Sequence, residues 1–161
     1  WGIHKMKKFK DIKAFTLMEL MIVIVIIGIL AAVGMVTFGG QAGKAKIAST
    51  KSIHKQVVTY ITVEMMNCSM GETKTMSDNL TCQGRTAASV VAAAVNAQKT
   101  EHENPYQQDQ AAVRSGGNNT ATGDAGFISL SVSGTDIKVK SCHTQPCSAA
   151  DERQEATIAF Q

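Results

Sequence analysis

The chain has 161 residues, 5% of them aromatic, and a formal net charge of +3 at pH 7. That length is one domain's worth of chain, and so few aromatics, with a second half rich in Ala, Ser, Thr and Asn, limit it to a modest core. The charge is little evidence for a nucleic-acid surface: Lys5, Lys7, Lys8, Lys10 and Lys13 against Asp11 hold the whole basic excess, leaving 11 of the 16 basic and 12 of the 13 acidic residues from Phe15 onward. Tyr60 and Tyr106 are isolated, so no aromatic-basic groove supports nucleic acid as a partner.

Met6 opens a start, MKKFKDIKA, and residues 1–5 are set outside the fold reading. Residues 1–14 form a short basic leader, whose lysines direct the N-terminus to the cytoplasm and the rest outward. Behind it Phe15–Phe38, FTLMELMIVIVIIGILAAVGMVTF, has a single ionisable residue, Glu19. As a helix this run rises about 36 Å, enough for a bilayer core of about 30 Å. It is too long for a secretory signal, and Ala31-Ala32 lies inside it, so any cleavage is expected before the run. A carboxylate near a bilayer centre costs roughly 2.5–3.5 kcal/mol, and less near the interface. Glu19 therefore requires a partner.

From residue 39 to 66 the pattern turns amphipathic. Ile47, Thr50, His54, Val57, Ile61 and Met65 recur at steps of three or four, with Val58 beside them. The spacing predicts one helix from Phe15 to about Met66. Gly28, Gly34, Gly39, Gly40 and Gly43 are either close-packing positions or local weak points in it. Residues 67–161 form the head. NCSMGETKTMSDNLTCQG, 67–84, reads as a loop. A second helix is predicted over Thr86–Gln98, capped by Thr86, with Ala87, Val90, Val91, Ala94 and Val95 as its stripe. Pro105 stops the segment behind it, and 115–126, SGGNNTATGDAG, reads as a flexible polar loop.

Three strands are predicted at the end of the chain: Ile128, Leu130 and Val132; Ile137 and Val139; Ala156, Ile158 and Phe160. Ser133-Gly134-Thr135 supplies a hairpin connection. The fold class is α+β: a long N-terminal helix, apolar then amphipathic, packed on a small antiparallel sheet, with a second short helix.

Cys68, Cys82, Cys142 and Cys147 all follow the apolar run, and an even count in a small exported head favours disulfides over free buried thiols. Of three pairings, Cys68–Cys82 and Cys142–Cys147 each close a short local loop. Cys142, His143 and Cys147, with distant His102, are the best metal candidates; the Cys spacing is wider than the usual structural zinc pair and the expected compartment is oxidising, so no metal or other cofactor is expected. His4, His54, His102 and His143 are scattered, which suits solvated side chains. No nucleophile elbow or phosphate-binding loop occurs, so no enzyme is expected.

The segment KAFTLMELMIVIVIIGILAAV resembles the N-terminus of type IV prepilins and pseudopilins: a basic leader, a small residue, Phe, Thr, Leu, an apolar residue, Glu and a long apolar helix. The resemblance covers about 25 of the 161 residues. It places Ala14 last in the leader, Phe15 first in the mature chain and Glu19 fifth. Two positions depart from the family pattern: Ala14 stands where Gly is usual, and Val36 where many members carry Pro. The resemblance implies cleavage between Ala14 and Phe15 by a prepilin peptidase, N-methylation of Phe15, and assembly in which Glu19 meets the new α-amine of a neighbour. It further implies a prepilin held in the bacterial inner membrane, head in the periplasm. An inner-membrane assembly platform would then build it, with copies of itself or related pilins, into an extracellular filament for adhesion, twitching motility or DNA uptake. The alternatives are a pseudopilin of a type II secretion system and an uncleaved single-pass anchor for a binding domain.

Overall fold

The computed structural model describes residues 15–38, 40–117 and 119–160. By its contacts the chain divides into two compact units, Trp1–Gln41 and Ala42–Gln161.

In the first unit one element, α1 (Leu17–Phe38), takes up the apolar run. Leu, Met and unbranched neighbours favour a helix, and the many Ile and Val residues do not prevent it because helix is the form that satisfies every backbone group internally. α1 passes through Gly28, Gly34 and Val36 without interruption. Helix resumes as α2 (Gln41–Ser69), with Gly40 in a turn. The single helix expected from Phe15 to Met66 is therefore two elements. Gly39 and Gly40 are adjacent in sequence, and each lowers local helix stability by about 1 kcal/mol relative to Ala.

The second unit is built on one face of α2. Thr50, Ile53, His54, Val57, Ile61, Met65 and Cys68 are buried there, at the three- and four-residue steps of a helical stripe. Thr50 is buried without cost because its hydroxyl donates to the Lys46 carbonyl at 2.9 Å. Behind α2, the segment expected as a loop contains a small hairpin, β1 (Lys74–Thr75) and β2 (Leu80–Thr81). Its turn holds Met76, Ser77 and Asp78 at positive φ, and the Glu64 carboxylate on α2 accepts from the Met76 N–H. Then α3 (Ala87–Gln98) follows, its N-terminus closed by a reciprocal cap. The Thr86 hydroxyl accepts from the Ser89 N–H at 3.2 Å, and the Ser89 hydroxyl accepts from the Thr86 N–H at 2.9 Å. Ala87, Val90, Val91, Ala93 and Ala94 are its buried face.

Four strands form the main sheet: β3 (Val113–Ser115), β4 (Ile128–Ser133), β5 (Asp136–Cys142) and β6 (Arg153–Ile158), in the order β3-β4-β5-β6. The three expected strands pair antiparallel, with Leu130 opposite Val139 and Val139 opposite Ala156. The edge strand β3 runs parallel to β4, which makes the sheet mixed. Ile128, Leu130, Ile137 and Val139 face Ile53, Val57, Ile61 and Met65 of α2 and the valines of α3 in one core. Val132, expected on that face, is 42% exposed, beside an open groove between α3 and β4. The opposite face is not left to solvent. Ser129 is buried there, its hydroxyl bonded to Arg114 and to Asn119 of the stretch expected as a polar loop. There Asn119 is fully buried and accepts from the Ser129 hydroxyl and Arg114. Its amide donates to the Phe127 and Lys140 carbonyls at 3.0 and 2.7 Å. Arg114 also pairs with Asp124 and lies 4.0 Å over the Phe127 ring.

Candidate functional site

The site proposed from the sequence begins at Ala14, which lies outside the described residues. Phe15 and Thr16 lead into α1. The Thr16 hydroxyl accepts from the Glu19 N–H at 3.2 Å, and the Thr16 carbonyl accepts from the Leu20 N–H at 3.2 Å. Thr followed three residues later by Glu is the sequence signature of a helix start. The spacing thus gives Glu19 a local reason to stand where it does: a carboxylate in the first turn complements the positive end of the helix dipole. That reason does not use its side chain up. Glu19 is exposed.

Beyond Glu19 the helix has no polar face. Leu17–Met35 has a mean hydropathy of 2.8 and none of it is buried. Its large apolar side chains, with Phe15, are 45–81% exposed. A helix apolar all round demands an apolar surround from outside its own fold, lipid or other helices. Each large side chain that finds such cover contributes about 1.5–3 kcal/mol. Nothing lies within 4 Å of where a Cβ would project at Gly28, which leaves a small notch in the apolar surface there.

In the head, Cys68 and Cys82 are bonded, tying the end of α2 to the strand end of the β1–β2 hairpin. Cys142 and Cys147 are bonded across the turn after β5, in a small cluster with Ala125 and Tyr106. Neither cysteine of the second pair is thus available to a metal. Among the described residues no three His, Cys, Asp or Glu side chains gather as a metal set.

Two histidines read as solvated are buried instead. His54 is 3% exposed and His143 4%. His54 sits within the apolar stripe of α2, which was the signal for its burial. Burial, and then the neighbouring His143, hold the His54 imidazole below the ordinary value of 6.5. Burial and the Lys51 charge lower His143, against the Asp151 carbonyl, Asp151 and Glu152. On the other side of the sheet, burial pushes the Asp124 carboxyl up, but the bonds from Arg114 and the Ala121 N–H outweigh it and leave Asp124 below the usual range.

The prokaryotic N-terminal methylation motif matches residues 9–35. The match contains Ala14, Phe15 and Glu19 and most of α1. Comparison with curated proteins and with solved structures returns no match.

Proposed function

We propose that this member of the type IV pilin and pseudopilin family is a structural subunit of a pilus-like filament, made as an inner-membrane precursor and assembled through α1. The observation that carries the reading is a helix apolar on every side, directly behind a Phe-Thr-Leu-Met-Glu box and its basic leader.

The precursor inserts with its lysine-rich leader in the cytoplasm and its head in the periplasm, where the two disulfides are stable. A prepilin peptidase cuts between Ala14 and Phe15, and Phe15 is N-methylated. The cut creates an α-amine, whose unperturbed pKa is about 7.7–8.0, next to a helix with one carboxylate. As subunits leave lipid for the filament, the amine of one approaches Glu19 of its neighbour. A buried ion pair adds limited stability of its own, but an unpaired buried charge costs about 3–5 kcal/mol. Glu19 therefore sets the register of helices that are otherwise uniformly apolar. Contacts of this kind, repeated head to tail without closing, generate a helical filament.

Immunogold labelling of the head on sheared surface material tests the reading. Label along filaments extending from the cell is the expected result. Label confined to the envelope, with loss of protein secretion when the gene is deleted, would move the assignment to a type II secretion pseudopilin.

A further inference from the structure

Two buried imidazoles come from different elements, His54 from α2 and His143 from the start of the segment behind β5. His143 bonds twice within that segment and once to Tyr106. Its Nε2 lies 2.9 Å from the Asp151 carbonyl, its backbone N–H donates to the Glu152 carbonyl at 3.0 Å, and its own carbonyl accepts from the Tyr106 hydroxyl at 2.7 Å. With Nε2–H donating to Asp151, the Nδ1 of the neutral ring carries a lone pair. That Nδ1 is buried without a hydrogen-bond partner, and so is the Nδ1 of His54 on α2. Protonating either nitrogen would place a charged N–H in a buried position with no acceptor, which is costly. A charge on His143 also opposes a proton on His54.

The surrounding charges come from every element packed there. α2 contributes Lys46, Lys51 and Lys55. Lys46 lies 5.3 Å over the Tyr106 ring, Lys51 opposes a proton on His143, and Lys55 lines a groove with His54. The segment itself contributes Asp151 and Glu152, which favour the proton, and β6 contributes Glu155 beside Gln154 in the same groove.

We propose that His54 and His143 form an acid-sensitive clasp that seats residues 143–152 against α2 when both rings are neutral and releases them when the rings take up protons. The Cys142–Cys147 bond keeps the freed turn compact. The direction follows from linkage. An exposed imidazole takes its proton near 6.5, and both seated rings are held below that value. Below about pH 6.5 the released form binds more protons, so the seated form loses ground as pH falls and is complete above that pH.

The test is hydrogen exchange read by mass spectrometry on the full-length chain in detergent micelles, at about pH 7.5 and about pH 5, corrected for intrinsic rates. Peptides from 143–152 should lose protection by about tenfold or more at the lower pH while α3 peptides do not. H54Q/H143Q should remove that difference. Equal protection of 143–152 at both pH values overturns the proposal, as does an undiminished difference in H54Q/H143Q. An NMR titration of the unmodified chain needs no variant: both imidazoles should titrate below 6.5, and a midpoint at or above 6.5 for either ring overturns it.

Discussion

Glu19 is the residue on which the functional reading turns, and its backbone and side chain do separate things. Its N–H is taken by Thr16, and its carboxylate is exposed in the first turn of α1. Glu19→Ala should keep the chain in the membrane fraction, because the apolar run is unchanged, and reduce sheared filaments at least about tenfold if register is lost. Wild-type filament numbers from that variant would refute the role. In the head, Asn119 joins Ser129, Arg114, Phe127 and Lys140 from a fully buried position. Asn119→Ala should cost about 2–3 kcal/mol, seen as a lower denaturation midpoint with an unchanged slope. Gly126 lies at φ +84, and a Cβ there would run into the Asn104 side chain. Gly126→Ala should therefore destabilise the head on both counts, by more than about 2 kcal/mol. Glu19 was legible because a lone carboxylate in an apolar run is conspicuous. Asn119 was not, since an Asn in a Gly-, Asn- and Thr-rich stretch has the composition of a loop, and only the tertiary fold supplies its four partners.

Among the elements, legibility followed length and period. α3 was readable down to its cap, because Thr86 precedes an apolar stripe at helical steps. β4, β5 and β6 each carry enough alternation to be seen. β1 and β2 have two residues each and β3 three, too few for any period, and they exist because the core and the Cys68–Cys82 bond hold them. Val132 alternates correctly, on the face of Leu130 and opposite Ile137, yet stays exposed, since alternation specifies a side of the sheet and not whether anything covers it. The two disulfides differ in reach. Their sequence separations of 14 and 5 residues correspond to about 3 and about 2 kcal/mol of restricted unfolded chain. C68S/C82S should therefore lower stability more than C142S/C147S, in denaturant titrations of the two variants. Equal losses would contradict that ordering. Glu64→Ala should loosen the same hairpin by about 1–3 kcal/mol, by leaving the Met76 N–H without its acceptor.

At the scale of the whole molecule, one chain serves two solvents. The head, from Ala42 onward, has its own core of two helices and a four-stranded sheet. None of Leu17–Met35 in α1 is buried, and under the proposed function its cover comes first from lipid and then from other copies. Under that proposal Glu19 is a cost in the first surround and a guide in the second, and processing connects the two, because the cation proposed to meet Glu19 exists only after the leader has gone. The direct measurement is the intact mass and N-terminal fragmentation of the chain recovered from sheared surface filaments. The account predicts a chain beginning at Phe15, carrying a single methyl group on its α-amine. A chain that still carries the leader, beginning at Met6 or upstream of it, would contradict the account.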